Sequence, residues 1–179
     1  SMFNIKYSKN VNEWPKENLI RGKRTYNPPY GWIGIGLKVD NKFNTTDNIW
    51  LGKENKKGEW PVAYHGINTG DVFKKALSII NDNLKVGPTQ FYKHFTNVEQ
   101  SRDKYSLCGE GVYLSPTIKS AMEYAEKISL GGSDKKFQFV IMARVNPEKI
   151  RIPSGASNDW ILNGNDEEIR PYRLLVKSY

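Results

Sequence analysis

The sequence has little of what disulfide-rich, metal-binding and membrane-spanning proteins contain. Its 179 residues include one cysteine, Cys108, which excludes an internal disulfide and a cysteine-based metal cluster. The two histidines, His65 and His94, lack the spacing of metal ligands, so we expect no metal site. No apolar run approaches the ~20 residues that a membrane span requires. Together these features predict an intracellular, cytoplasmic protein that does not enter the membrane.

Positive charge is in excess, since 27 Lys and Arg residues against 19 Asp and Glu residues give a net charge of +8. This excess favours an anionic partner: nucleic acid, an acidic protein surface or a nucleotide that carries a pyrophosphate. The alternative is that Lys and Asn are simply abundant, as AT-rich coding would give, because the lysines form no basic block. The charge alone leaves both interpretations open.

A single domain spanning residues 2–179, in a monomeric protein, is the expected organisation. Hydrophobic residues make up 38% of the chain and charged residues 26%, which is typical of a globular protein. No repeat or linker divides it, and the polar stretch Gly52–Glu59 is short enough to be a surface loop. Ser1 before Met2 resembles a residue left by tag removal, and no apolar core of signal-peptide length follows it.

Hydrophobic periodicity predicts at least five strands. The longest patterns are Tyr30–Val39, with Ile33, Ile35, Leu37 and Val39 on one face, and Lys136–Pro147, with Phe137, Phe139, Ile141, Ala143 and Val145 on one face. Shorter strands are predicted at Trp60–Gly66, Val112–Leu114, Asp159–Leu162 and Ile169–Ser178.

Two helices and one long loop complete the prediction. Gly70–Asn83 is an amphipathic helix whose apolar face consists of Phe73, Ala76, Leu77 and Ile80. A second helix is capped by Ser115, begins at Pro116 and runs to about Ser129, before two glycines. Val86–Glu110 has no sustained period, which is typical of a long, mobile and functional loop. The excess of strands over helices predicts an α+β domain with a sheet core.

The best candidate site combines the second helix with two strand ends. Thr117, Ser120, Ala121 and Tyr124 share one helix face. With Tyr113 and the open backbone of Gly66, this face suits a planar heterocycle that bears an amide: the rings stack, and the hydroxyl and backbone bind the carboxamide. His65 would donate a hydrogen bond to a sugar hydroxyl. The alternative is that the tyrosines are core aromatics and His65 is a packed imidazole. A thiol–imidazole pair of Cys108 with His65 or His94 has no supporting signature.

The segments “YHG” (64–66) and “GEGVYLSPTIKSAMEYA” (109–125) resemble the catalytic domain of the poly(ADP-ribose) polymerase family. This family belongs to the ADP-ribosyltransferases with a His-Tyr-Glu signature, and its second motif has the form Gly-x-Gly-Ile-Tyr-Phe-(Ala/Ser), followed by a Ser-Ala-x-Tyr helix. The resemblance covers roughly residues 61–179, with Tyr30–Leu51 as the opening strand.

The resemblance implies an ADP-ribosyltransferase-like fold, with two packed, mostly antiparallel sheets and flanking helices. It implies NAD as co-substrate, no metal, and transfer of ADP-ribose to a protein or nucleic acid with release of nicotinamide. His65 would hold a ribose hydroxyl and Gly66 the carboxamide; Tyr113 and Tyr124 would sandwich the nicotinamide, and Ser120 would bind the carboxamide oxygen. The loop 86–109 would cover the adenosine side.

The sequence departs from the family pattern at two positions. Asp159 stands where the family has the glutamate of its signature, which makes His65, Tyr113 and Asp159 the predicted catalytic triad. A slip of one residue would put Trp160 there, and Asp166, Glu167 and Glu168 are rival carboxylates. Ile67 replaces the small residue that commonly follows “HG”. These departures favour transfer of a single ADP-ribose over polymer formation. A non-catalytic NAD- or ADP-ribose-binding module and a basic nucleic-acid-binding domain are the alternatives.

Overall fold

The computed structural model describes residues 4–8, 19–43, 47–68, 71–87, 90, 109–132, 134–155 and 158–179. Its strands are β1 (Ile5–Lys6), β2 (Ile20–Arg21), β3 (Arg24–Thr25), β4 (Ile33–Gly36), β5 (Val62–Gly66), β6 (Val112–Leu114), β7 (Ile128–Ser129), β8 (Lys136–Val145), β9 (Trp160–Leu162) and β10 (Ile169–Ser178). Its helices are α1 (Val72–Asp82), α2 (Ile118–Glu123) and a 3-10 turn (Ile49–Leu51).

Antiparallel strand pairs dominate the described part of the chain. Five strands follow one another in the order β1-β4-β10-β8-β5, and β7 adds to β8 to complete a six-stranded sheet. Two two-stranded ribbons, β2–β3 and β6–β9, accompany it. The expectation of an α+β domain with a sheet core is therefore confirmed. Among the helices that the structure describes, none has the length and apolar content to cross a bilayer.

Strand β8 is the centre of the core, as its apolar pattern predicts. Eight of its ten residues are buried, so it is covered on both faces. One face, with Phe139, Ile141, Ala143 and Val145, packs in the core cluster that includes Val72 of α1. The other face carries Val140 and Met142 into a second cluster with Tyr64 and Ala121. Two separate apolar cores thus lie on opposite sides of one strand.

Helix α1 forms where predicted, but the predicted buried face is only partly right. Ala76 is buried and Ile80 half-buried as expected, whereas Phe73 and Leu77 are 50% and 58% exposed and Val72 is buried instead. The orientation follows from Asn83, at the end of the helix, whose side-chain amide donates to the carbonyl of Ile169 at 2.8 Å. This bond turns the row of residues 72, 76, 79 and 83 towards the sheet, because these positions share a helix face.

Helix α2 is shorter than predicted and has a different cap. Thr117, not Ser115, caps it, and the backbone of Ser115 stays extended because it exchanges two 2.8 Å hydrogen bonds with Tyr64. At the other end, the amide of Gln138 donates to the carbonyls of Met122 and Ala125. The chain then leaves the helix, and Ile128–Ser129, predicted as helix, pairs with β8.

Strand β4 also presents the opposite face from the one expected. Ile33 and Ile35 are 49% and 39% exposed, while Trp32 is buried in the second core cluster. Gly34 is buried on the same side as Trp32, and a Cβ there would lie 2.5 Å from Cδ of Arg173. The bulk of Trp32 and the close approach at Gly34 decide the face, although the isoleucines have the stronger apolar pattern.

Candidate functional site

The candidate site lies where the central sheet and the β6–β9 ribbon separate. At Tyr64 and Ser115 the two units are joined by a pair of backbone hydrogen bonds, each 2.8 Å long. One residue further along β5, the side chain of His65 forms a hydrogen bond with the carbonyl of Tyr113. β6 instead pairs with β9, and β5 with β8. A cavity of about 270 Å³ lies beside this fork.

Five of the six residues predicted to form the site line this cavity. They come from the end of β5, from β6, from α2 and from the residue before β9: His65, Gly66, Tyr113, Tyr124 and Asp159. His65 and Asp159 are 94 positions apart in the chain, and the fold brings both of them to one cavity. Packing of the tyrosines into a closed core, the alternative interpretation, does not describe Tyr113 and Tyr124, which are both half-buried.

His65 is held as a neutral imidazole. Burial lowers its pKa and so does the nearby charge of Lys75, although the hydrogen bond to Tyr113 acts in the opposite direction. Nδ1 lies 2.8 Å from the carbonyl oxygen of Tyr113. A carbonyl only accepts, so Nδ1 carries the proton and Nε2 is an acceptor. The expectation that His65 donates to a sugar hydroxyl does not fit this tautomer, because the remaining ring nitrogen, Nε2, can only accept.

Gly66 presents backbone polar groups on the cavity side of β5. In an antiparallel pair the hydrogen-bonding direction alternates from one residue to the next. Tyr64 bonds to Ser115 and Ile67 bonds to Phe139 of β8, so the N–H and C=O of Gly66 are directed away from β8. Gly66 is also required sterically, since a Cβ would overlap the carbonyl oxygen of Ala121 and lie 2.9 Å from the nitrogen of Ala125.

The two tyrosine rings are positioned by different means. The hydroxyl of Tyr113 donates to the carbonyl of Gly109 at 2.6 Å, which ties the ring to the segment before β6. Tyr124 is the C-cap residue of α2. The side-chain amide of Gln138 donates to the carbonyls of Met122 and Ala125, at 3.1 and 2.7 Å, and so fixes the backbone on both sides of Tyr124.

Ser120 is the predicted residue that does not line the cavity. Its Oγ lies 3.0 Å from Oγ1 of Thr117, within the N-terminal cap of α2. The serine at the cavity is Ser115, whose hydroxyl donates to the carbonyl of Asn158 at 2.9 Å. The carboxamide-binding role of Ser120 stays a prediction from the motif.

Asp159 is the carboxylate that lines the cavity among the residues that the structure describes. Burial raises its pKa to about 6, and the negative charge of Glu123 acts in the same direction. A shift of one residue in the alignment with the family motif would put Trp160 in its place. This disagrees with the structure, because Trp160 is buried in the core. Asp159 is therefore a desolvated acid whose pKa lies close to neutral pH, as is common for residues that act on substrates.

The rival acidic residues serve the turn before β10. The carboxylate of Glu168 accepts from the backbone N–H and the side chain of Asn163, at 2.7 and 2.8 Å. Asp166 accepts from the side-chain amide of Asn83 at 2.6 Å. Neither these two residues nor Glu167 lines the cavity.

Several cavity residues were not predicted from the sequence. Asn68, Lys85 and Gln90 line it. The amide of Gln90 pairs with both backbone groups of Gly111, at 2.8 and 3.0 Å, and so joins the segment after α1 to the start of β6. Gln90 lies in an aperiodic segment, where no sequence signal distinguishes it. Most of the predicted loop 86–109, together with His94 and Cys108, lies outside the described residues.

Comparison with known proteins identifies no family for this chain. No protein-family model matches the chain, and neither does any curated protein. Any proposal about function therefore rests on the arrangement of side chains around the cavity and on the motif resemblance.

Proposed function

We propose that the chain is an NAD-dependent mono-ADP-ribosyltransferase, a glycosyltransferase that moves ADP-ribose from NAD to a protein or nucleic-acid acceptor and releases nicotinamide. One observation carries the proposal: His65, Gly66, Tyr113, Tyr124 and Asp159 line a single cavity at the fork between two sheets. The motif resemblance predicts all five residues for this chemistry, and they come from separate segments of the chain.

The binding groups match the functional groups of nicotinamide riboside. The rings of Tyr113 and Tyr124 offer faces on which a pyridine ring stacks. The backbone N–H and C=O of Gly66 suit a primary carboxamide, which has both a donor and an acceptor. The neutral His65, with its acceptor nitrogen Nε2, receives a hydrogen bond from a ribose hydroxyl. These interactions bind and orient NAD and require no metal.

The chemistry requires a negative charge near the ribose. As the bond between ribose C1′ and the nicotinamide nitrogen breaks, the electron pair leaves with nicotinamide and C1′ becomes oxocarbenium-like. A carboxylate at this position stabilises the developing positive charge. A nucleophile of the acceptor then bonds to C1′ and loses its proton to solvent. Asp159 is the cavity carboxylate that would provide the stabilisation in its ionised form.

Turnover of labelled NAD tests the proposal. With the label in the adenylate, transfer to protein and release of ADP-ribose are both measured, together with free nicotinamide. Asp159→Ala is expected to lower turnover by about a hundredfold, since charge stabilisation at a reacting centre has this magnitude. The affinity of the Asp159→Ala variant for nicotinamide should be unchanged. Glu167→Ala removes an exposed rival carboxylate and is expected to behave like the parent.

A second variant tests the binding half of the proposal. His65→Ala loses the hydrogen bond to the ribose and is expected to bind NAD about tenfold more weakly. Parent protein that neither transfers nor hydrolyses NAD, combined with unchanged NAD affinity in His65→Ala, contradicts the proposal.

A non-catalytic NAD- or ADP-ribose-binding module is the second candidate, because of two features of Asp159. Its side chain is one methylene shorter than the glutamate of the family signature, and its pKa of about 6 leaves part of the population neutral in mildly acidic solution. Binding of ADP-ribose without any turnover at about pH 8, where the carboxyl is ionised, would favour this module over the enzyme.

A further inference from the structure

Positive charge is concentrated in two turns that contact each other. The sequence from residue 18 to residue 39 contains no acidic residue at all. Six basic residues belong to the two turns: Arg21, Lys23 and Arg24 in the ribbon β2–β3, and Lys53, Lys56 and Lys57 in the loop Gly52–Glu59. Part of the net charge of +8 is therefore local.

The two acidic residues of the loop leave most of this charge unpaired. Glu54 forms an exposed ion pair with Lys56. The carboxylate of Glu59 is buried and accepts from the backbone N–H groups of residues 54, 55 and 56, at 3.0, 2.8 and 2.9 Å. Five basic residues form no ion pair within the part of the chain that the structure describes, and we call them the basic surface: Arg21, Lys23, Arg24, Lys53 and Lys57.

Backbone contacts hold the two turns against each other. The N–H of Lys23 donates to the side-chain oxygen of Asn55 in the loop, at 3.4 Å. Gly22 packs on the residues that follow the loop, since a Cβ there would lie 2.3 Å from the nitrogen of Pro61. Gly22 and Lys23 have φ values of 55° and 63°, as a two-residue hairpin turn requires. The contacts thus place the tip of the ribbon beside the loop.

The two arginines are arranged in a way that suits phosphate groups. Arg21 lies directly opposite Arg24 in the ribbon, and like charges in such a pair destabilise it. Their guanidinium groups lie over different rings, Arg21 at 5.3 Å from the centroid of Tyr26 and Arg24 at 5.1 Å from that of Trp160. Stacking covers a face of the guanidinium group and leaves its N–H groups free to donate. Arg24 makes no hydrogen bond with any residue that the structure describes, so its donors are available for phosphate oxygens.

We propose that the basic surface binds the phosphate backbone of a nucleic acid. Interfaces between proteins have an apolar centre, whereas interfaces with nucleic acid are more polar and strongly positive. The loop Gly52–Glu59 contains no apolar side chain, which fits a nucleic acid better than an acidic protein.

The position of the basic surface connects it to the candidate site, although the inference does not rest on the proposed function. Arg24 contacts the ring of Trp160, and Trp160 directly follows Asp159, which lines the cavity. The basic surface therefore adjoins the ribbon wall of the cavity. In the proposed enzyme, this position favours nucleic acid over protein as the acceptor.

Fluorescence anisotropy with labelled oligonucleotides of about 20 nucleotides, single-stranded and duplex, tests the proposal without NAD. The double variant Lys23→Gln/Lys57→Gln, with one change in each turn, is expected to bind about tenfold more weakly than the parent. The slope of log K against log salt should become shallower by roughly 1–2, because each lost phosphate contact contributes about 1. Lys23→Arg/Lys57→Arg keeps the charge and should bind like the parent.

A control with the same net charge separates the basic surface from general attraction. Lys74→Gln/Lys136→Gln changes two exposed lysines away from the two turns. Lys136 begins β8, whereas Val145 at the other end of β8 bonds to Pro61, next to the basic surface. This control should keep the parent affinity and salt slope.

Three results would overturn the proposal. The first is an equal loss of affinity in the two Lys→Gln double variants, which would show that net charge alone attracts the oligonucleotide. The second is a parent that binds neither oligonucleotide at ~50 mM salt. The third is competition by poly-glutamate as effective as that by unlabelled oligonucleotide of equal charge, which would indicate an acidic protein partner. Failure of the parent to turn over NAD would overturn the proposed function and leave the basic surface standing.

Discussion

The two walls of the cavity are built differently. The wall at the end of β5 belongs to a six-stranded sheet, and its polar groups are a neutral imidazole and the backbone of Gly66. The opposite wall is a two-stranded ribbon, β6–β9, and its reactive group is the carboxyl of Asp159. In the proposed enzyme, the first wall contributes His65 and Gly66 to binding, and the second contributes the ring of Tyr113 together with the charge of Asp159 that would act on the ligand. Substitutions of the binding groups and of Asp159 should therefore affect binding and turnover separately.

Gly66→Ala is expected to have the largest effect, because it disrupts the β5 wall at its closest contact. The added Cβ would overlap the carbonyl oxygen of Ala121 and crowd the nitrogen of Ala125, which is backbone and cannot rotate away. Helix α2 must then move and take Tyr124 with it. We expect a loss of about 3 kcal/mol in the free energy of unfolding, together with loss of nicotinamide binding.

Urea unfolding and nicotinamide titration measure the two effects. Gly87→Ala is a matched control, since the nearest atom of the described residues to its added Cβ is Cγ of Gln90 at 4.0 Å. This control should keep parent stability to within about 1 kcal/mol. A Gly66→Ala protein that is as stable as the control and still binds nicotinamide would show that α2 does not depend on this contact.

How much of the fold can be predicted from the sequence depends on whether each element is determined by its own residues or by a contact with a distant part of the chain. The strands β5, β8 and β10 follow from apolar runs long enough to identify on their own. The buried faces of α1 and β4 do not, because they are chosen by distant partners. Asn83 bonds to Ile169, 86 positions along the chain, and Gly34 packs against Arg173. A local pattern contains no information about those contacts.

The same distinction applies to the site. Tyr113 and Tyr124 are found by the motif, and the structure brings their rings to the cavity with His65. Gln90 escapes detection because it lies in the aperiodic segment 86–110, and Lys85 directly precedes that segment; only the folded chain brings the two residues to the cavity. The predicted length of α2 was wrong for a related reason. The hydrogen bonds that end this helix come from Gln138, which lies on strand β8.

The pH dependence of turnover tests the comparison between the two walls. It should depend only on the β9 wall, the side of the cavity formed by the β6–β9 ribbon, because that wall carries Asp159. Asp159 has its pKa raised to about 6, whereas the lowered pKa of His65 extends the neutral form of that ring to lower pH. Nicotinamide release at saturating NAD is expected to rise about tenfold between about pH 5 and pH 7, as the carboxyl ionises. Nicotinamide binding should change little over the same range. A flat rate profile would show that the charge of Asp159 is not used.

Stability should vary in the opposite direction over this range. The folded chain holds the Asp159 proton more tightly than the unfolded chain, where the pKa is near 3.8. The free energy of unfolding therefore decreases as the pH rises from about 4 to about 6, and then levels off. Asp159→Asn, which has no proton to lose, should remove this decrease and be more stable at pH 7 by on the order of 1–3 kcal/mol. Unchanged pH dependence in Asp159→Asn would contradict the assigned pKa.

Gln138→Leu should have the smallest effect, because it acts on the binding wall only through α2. Gln138 is 4% exposed, accepts from the hydroxyl of Tyr179 and donates to the carbonyls of Met122 and Ala125 around Tyr124. Without these donors, we expect Tyr124 to be held less firmly and the KM for NAD to rise about threefold at constant kcat, as for a loss of uniform binding. Tyr179→Phe leaves both bonds to α2 in place and should change KM less. A fall in kcat with constant KM would instead connect Gln138 to the β9 wall, and the separation of binding from turnover would then fail.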